Sequence, residues 1–159
     1  FILPGFNVRP TEIQGALGLV QLKKVSKFLK DREDFLILLQ KHVANIPWLR
    51  IIGDYQISKN TKKKRRHSWM NVPFIVENNS PISCKELTLL FEKYLIETRP
   101  VITGNILHHP ASKYLDISDT FFPNTEYIHN NGFMIGSFIK SSHKINLTLE
   151  KLFSHLKRL

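Results

Sequence analysis

Gly5-Phe6-Asn7-Val8-Arg9-Pro10-Thr11-Glu12-Ile13-Gln14-Gly15-Ala16-Leu17-Gly18-Leu19-Val20-Gln21-Leu22 is the stretch on which the rest of the chain depends. It reads as an approach loop that runs into the first turns of a helix. Pro10 suits a helix's first turn, where its missing N–H costs nothing. Thr11 and Gln14 have capping-box spacing, which satisfies two orphan N–H groups at a helix start. Asn7 and Arg9 therefore stand just before a helix N-terminus, where exposed N–H groups and the macrodipole favour an anion. An amide and a guanidinium at that place point to a phosphate or carboxylate, and the physics of the stretch goes no further.

Working outward, the helical pattern continues to about Ile46. Ile13, Ala16, Leu17 and Val20 share one face, and Phe35, Leu36, Leu39, Val43 and Ile46 make a second stripe. A bend near Lys30-Asp31 is expected to reconcile the two phases. Gly15 and Gly18 each cost about 1 kcal/mol relative to alanine within a helix, which suggests close approach of another backbone or helix. Pro47 ends the run. Strands are expected at 49–52 and 68–76, and Pro73 inside the second predicts an edge strand or a bulge, because it donates nothing to a ladder. Ser83 with Glu86 predicts a capped helix carrying Leu87, Leu90, Phe91 and Leu95. A short strand at 96–102, a helical turn at 109–115, a helix at 124–131 capped by Asn124, a strand at 133–136 and a last helix at 144–159 complete the pattern. The fold class is α+β: a long N-terminal helix, then helices packed on a small, mostly antiparallel sheet.

At 159 residues the chain is the size of one domain, able to bury about 70% of its unfolded surface. A hydrophobic content of 42% is that of a globular protein. No apolar run reaches the roughly 18–20 residues of a membrane helix, and no secretory signal is evident. The single cysteine, Cys84, has no internal disulfide partner, so the cytoplasm is the expected compartment. The chain opens on Phe1 inside a motif, which reads as a piece of a longer protein.

The net charge of +10 is concentrated, with six of the 23 lysines and arginines between Lys59 and His67. Such a run can bind nucleic acid. Here no aromatic residue interleaves with it, and a block of like charges is ordinarily a solvated loop. Nucleic acid is the disfavoured reading. The seven histidines show no His-x-x-x-His or Cys-x-x-Cys spacing, so no metal site is expected. No nucleophile–base pair stands out, and no catalytic residue is assigned. The better candidate is Arg99-Pro100-Val101-Ile102-Thr103-Gly104-Asn105, an arginine leaving a strand and followed by a Gly-Asn turn. It could present donors to a carboxylate or phosphate, or be a surface ion pair beside an ordinary turn.

The ordered set of these segments resembles the C-terminal small domain of the DegT/DnrJ/EryC1/StrS family of pyridoxal-phosphate-dependent sugar aminotransferases and dehydratases. Gly5-Phe6-Asn7-Val8-Arg9 and Gln14-Gly15-Ala16-Leu17-Gly18-Leu19-Val20-Gln21-Leu22 are similar to the opening of that domain. Ser68-Trp69, Arg99 to Asn105, and Asn131-Gly132-Phe133-Met134-Ile135-Gly136 follow at the family's intervals. The Arg-Pro-x-x-x-Gly-Asn form is most similar to the nucleotide-sugar 3-dehydratases, with sugar aminotransferases close behind.

The resemblance implies the small domain of the aspartate-aminotransferase fold over residues 1–159. Residues 1–46 would lie at the large-domain and dimer interface, 47–159 would form the α+β portion, and 59–67 a basic loop. It implies a homodimer with shared active sites, pyridoxal phosphate as electron sink, and a nucleotide-linked 4-keto sugar as substrate. Asn7 resembles the asparagine that reaches the cofactor phosphate of the neighbouring subunit, with Arg9 beside it. Arg99 and Asn105 resemble the loop facing the sugar nucleotide. The large domain, with the catalytic lysine or the histidine that replaces it, is absent from this sequence. Ser137-Phe138 departs from the Asn-His that commonly follows in 3-dehydratases. The implied function is the C-terminal part of such an enzyme, inactive alone. The alternatives are a remnant acting only as an interaction domain, and a basic nucleic-acid-binding module.

Overall fold

The structure, a computed structural model, describes residues 10–53, 68–114, 121–137 and 143–159. Its elements are α1 (Glu12–Leu22), α2 (Val25–Val43), β1 (Leu49–Ile51), β2 (Asn71–Val76), α3 (Cys84–Lys93), β3 (Thr98–Pro100), α4 (Pro123–Asn131), β4 (Gly132–Gly136) and α5 (His143–Leu156). Two short 3₁₀ turns, Ile106–His108 and Pro110–Tyr114, lie between β3 and α4. The four strands form one antiparallel sheet in the order β1-β2-β4-β3. The α+β arrangement expected from the sequence is therefore present.

Alternation along β2 sends Val72, Phe74 and Val76 into the main core, where α2, α3 and α5 supply the opposing side chains. Phe74 stands opposite Phe133 of β4, and their rings stack at 5.2 Å. Phe91 of α3 meets both rings edge-on, and Phe153 of α5 meets Phe91. Each such aromatic pair adds about 0.5–1.5 kcal/mol beyond the area it buries. Ile75, one position out of phase, is buried on the other side of β2, and α4 packs against β2 and β4.

Three expectations need correction. The long helix breaks at Lys23-Lys24, not near Lys30-Asp31. The break separates the two hydrophobic phases, so α2 buries Phe35, Leu36, Leu39 and Val43 while α1 buries nothing. Secondly, β2 is a central strand despite Pro73. The carbonyl of Pro73 accepts from Ile52 N–H at 3.0 Å, just past the end of β1. The donor that proline lacks is therefore missed where β1 has already stopped, and the ladder to β4 is untouched. Thirdly, α4 is not capped by Asn124: its N-cap is Phe122, with Pro123 at the first position.

The capping boxes at Thr11/Gln14 and Ser83/Glu86 both form. No described helix is long and apolar enough to cross a membrane. The basic run Lys59–His67 lies outside the described residues.

Candidate functional site

The loop that leaves β3 is sharply folded. Gly104 N–H donates to Val101 O at 2.8 Å. Both Ile102 and Gly104 take left-handed backbone conformations, at φ +47° and +62°. Glycine accepts that geometry freely, but for an L-residue with a Cβ it costs about 1–2 kcal/mol. Ile102 is 79% exposed, so burial gives nothing back. Strain of this kind persists only where neighbouring contacts enforce it, and it concentrates at functional sites.

Those neighbouring contacts come from α4. The Asn105 amide N–H donates to His129 Nδ1 at 3.1 Å, which makes that ring nitrogen an acceptor and puts the proton of the neutral imidazole on Nε2. Asn105 is the one buried polar residue among those described, at 5% exposure. Its Oδ1 accepts from Leu107 N–H at 3.1 Å and caps the first 3₁₀ turn. Its Nδ2 donates to Glu126 Oε2 at 2.8 Å. Glu126 also accepts from Asn130 Nδ2 at 3.0 Å and from His108 Nε2 at 2.8 Å. The hydrogen bond from Asn105, followed by those from Asn130 and His108, holds the Glu126 carboxyl below the usual glutamate range against a smaller opposing effect of burial. His109 turns the other way, with Nε2 2.7 Å from the carbonyl of Thr103. The adjacent imidazoles thus close the loop from two sides.

A second anchor fixes α4 itself. Tyr127 donates to Glu77 Oε2 at 3.0 Å, and Arg50 Nε meets Glu77 Oε1 at 2.7 Å. The bond from Arg50 is the main reason that the Glu77 carboxyl is held low, while burial, ahead of the bond to Glu77, pushes the Tyr127 phenol up. Gly132 closes the packing from the strand side: a Cβ there would lie 2.5 Å from Ile128 O and 2.9 Å from Val101. Ser137, at the departure from the 3-dehydratase pattern, bonds through its hydroxyl to the carbonyl of Trp69 and through its N–H to Met70 O at 3.0 Å.

The sequence candidates fall in three places. Asn105 sits inside the α4 cluster. Arg99, on edge strand β3, makes Nε and Nη2 contacts of 3.0 and 2.8 Å to Glu97. Both side chains of that pair are about three-quarters exposed, and such a surface pair contributes about 0–1 kcal/mol. Asn7 and Arg9 lie outside the described residues.

The described part of the helix start does not by itself make a phosphate site. Thr11 N–H and Gln14 N–H are taken up by the capping box, and Glu12 brings a carboxylate to the first turn.

Sequence reasoning missed Glu126, His129 and His108. The available signal was the i, i+3 spacing of Glu126 and His129 on a short helix that carries few apolar residues. Two titratable groups on one face of such a helix are there for something other than core packing.

Three comparisons bear on this geometry. Residues 2–144 match the DegT/DnrJ/EryC1/StrS aminotransferase family. The chain is 31% identical to a GDP-4-keto-6-deoxy-D-mannose 3-dehydratase of Yersinia pseudotuberculosis, over 99% of its own length and 38% of the relative's. It is 33% identical to the enzyme of that name from Escherichia coli O55:H7, over 92% of this chain and 35% of the relative. The fold superposes on the Escherichia coli GDP-4-keto-6-deoxy-D-mannose-3-dehydratase solved with bound hydrated PLP, at a TM-score of 0.78 and 29% identity, covering 96% of this chain and 38% of that one. A Streptococcus pneumoniae protein solved in its PLP form shares the fold at a TM-score of 0.75 and 18% identity, covering 99% of this chain and 38% of that one. The chain thus spans a little over a third of the length of these relatives, and it belongs to the DegT/DnrJ/EryC1/StrS aminotransferase family.

Proposed function

We propose that this chain acts as the C-terminal small domain of a PLP-dependent nucleotide-sugar enzyme, a 3-dehydratase or aminotransferase of deoxysugar and polysaccharide biosynthesis. The observation that carries the reading is the strained turn at Val101–Asn105, exposed at Ile102 and held from α4. A loop of this kind gives a ligand a rigid surface at low ordering cost. In this reading it faces a nucleotide-linked 4-keto sugar, with Arg99 free to exchange its surface pair for a phosphate oxygen. Asn7 and Arg9 reach the cofactor phosphate of a neighbouring subunit. The bound cofactor supplies the electron sink, and this chain supplies binding and orientation.

The large domain, in the same polypeptide or a partner chain, provides the catalytic base, so residues 1–159 are inactive alone. The working form is a cytoplasmic homodimer. The apolar face of α1, with Ile13, Leu17 and Val20 all exposed, is the surface on which the large domain or second subunit packs. Gly15 and Gly18 are compatible with this, because nothing among the described residues comes within 4 Å of a Cβ at either position. The same apolar face would also serve a remnant acting only as an interaction domain.

Asn7→Ala and Arg9→Ala separate the two readings. In the enzyme assembled with its large domain, each should weaken pyridoxal phosphate retention by about tenfold, the worth of one charge-assisted contact. Unchanged cofactor affinity in both would leave the interaction-domain reading.

A further inference from the structure

Both polar atoms of the Asn105 side chain are engaged. Its Oδ1 is occupied by Leu107 N–H at 3.1 Å, its Nδ2 by Glu126 at 2.8 Å, and the residue is buried. A free amide NH₂ has a second proton, but the 5% exposure of the residue leaves little surface through which a ligand could reach it. The exposed groups of this segment are Ile102, Thr103, Ile106, His108 and His109. Glu126 is the hub beneath them: one carboxylate ties the loop through Asn105, the following 3₁₀ turn through His108, and its own helix through Asn130.

We propose that Glu126 is a positioning residue that sets the sugar-nucleotide loop from below, with Asn105 as its relay and not as a ligand contact. The inference rests on the proposed function for the identity of the ligand, whereas the relay itself rests on the hydrogen bonds. Three features make the relay directional. Asn105 must donate to Glu126, because an ionised carboxylate only accepts. It must at the same time accept from Leu107, so neither end of the amide can turn round. Its backbone N–H is held independently by His129. The left-handed turn at Ile102–Gly104 is therefore fastened at its C-terminal end by two residues of α4, and α4 is in turn fastened to β1 and β2 through Tyr127, Glu77 and Arg50.

Reversing the polarity of the pair tests this. Asn105→Asp retains the acceptor for Leu107 but removes the donor and sets two carboxylates against each other. Glu126→Gln alone retains an acceptor for Asn105 and should act mildly. The double variant Asn105→Asp with Glu126→Gln restores a donor–acceptor pair in the opposite sense. Amide hydrogen exchange at Asn105 and Leu107 is read on the 159-residue chain, with far-UV circular dichroism confirming that each variant is folded. The KM and kcat for the 4-keto sugar nucleotide are read on the enzyme assembled with its large domain.

Asn105→Asp should speed exchange at both amides by roughly tenfold or more, the loss of one hydrogen bond plus a like-charge contact. It should raise KM more than it lowers kcat. The double variant should return exchange and KM to within about threefold of wild type, a residue of less than 1 kcal/mol. Glu126→Ala, which leaves Asn105 and His108 unpaired, should behave like Asn105→Asp.

Restored exchange with an unrestored KM would overturn the proposal, because it would mean that the Asn105 amide touches the substrate. Exchange unchanged in both Asn105→Asp and Glu126→Ala would overturn it as well. An assembled wild-type enzyme with no affinity for any sugar nucleotide would count against the proposed function, and the exchange cycle would still decide the relay.

Discussion

A Cβ placed on Gly104 would lie 2.2 Å from Nδ1 of His129. The ring nitrogen that forbids a side chain at Gly104 is the one that accepts the N–H of Asn105. Glycine is required there twice over, by this contact and by its φ of +62°. Gly104→Ala therefore forces the imidazole to swing and releases the loop from α4. The expected loss is about 2–3 kcal/mol, strain plus one broken bond, read as a fall in the denaturant midpoint at unchanged slope. Asn105 exchange should rise with it. A variant of wild-type stability would show that the imidazole moves aside freely.

His42 is a different kind of buried imidazole. It lies on α2 with its ring stacked 4.9 Å from Phe153 of α5, and its Nε2 is buried without a hydrogen-bond partner among the described residues. Burial, then the nearby charge of Lys157, pushes its pKa down, and Glu150 opposes this more weakly. The unfolded chain therefore binds this proton more readily than the folded one. The stability that His42 contributes is present above the unfolded value near 6.5 and is lost as pH falls toward the folded value. His42→Phe keeps the stack and removes the orphaned nitrogen. It should add about 1 kcal/mol at pH 7 and flatten the decline in stability on acidification just below that pH. An identical pH profile in both proteins would contradict the assignment.

The end of α3 carries a removable strain. Leu95 N–H bonds Glu92 O at 2.8 Å and Ile96 N–H bonds Phe91 O at 3.0 Å, the two bonds of a Schellman ending. The left-handed position in that ending is normally glycine, but here it is Leu95, at φ +61° and 91% exposed. Leu95→Gly gives up almost no packing and should stabilise by about 0.5–1 kcal/mol, since relief of the left-handed penalty exceeds glycine's extra unfolded entropy. Thermal unfolding checks it, and a lowered midpoint would contradict the strain assigned to Leu95.

The exposed face of α1 makes a prediction of opposite character. Leu17→Glu should leave the stability of the 159-residue chain within about 0.5 kcal/mol, because the side chain is exposed. Association with the large domain, or dimer formation, should weaken at least tenfold, as a charge buried without a partner in an apolar interface costs over 1.4 kcal/mol. Sedimentation velocity of the isolated chain and of the mixture separates the two effects.

These positions also show what a single sequence can and cannot reveal. Local chemistry was legible. Thr11 with Gln14 and Ser83 with Glu86 are contacts between residues three apart, and both capping boxes form as read. The strand at Phe133 and the stripe on α2 followed from periodicity. The break at Lys23-Lys24 was missed because α1 does not pack on this chain's core, so its apolar phase is set by something other than α2. Pro73 was misplaced because its effect depends on where β1 stops, which is a tertiary fact. The partners of the α4 residues were hidden for the same reason: Glu126 is 21 residues from Asn105, and His129 is 24. A glutamate on a short polar helix reads as surface until the loop it holds is seen.

Sugar-nucleotide turnover by this chain, combined with the large domain proposed to complete it and with pyridoxal phosphate, is the most direct test. Neither piece should be active alone, and the mixture should develop the absorbance of bound cofactor and consume a nucleotide-linked 4-keto sugar. Glu126→Ala in this chain should raise KM without abolishing the cofactor band. A folded, associated mixture with bound cofactor and no turnover of any nucleotide-linked 4-keto sugar would contradict the proposed function.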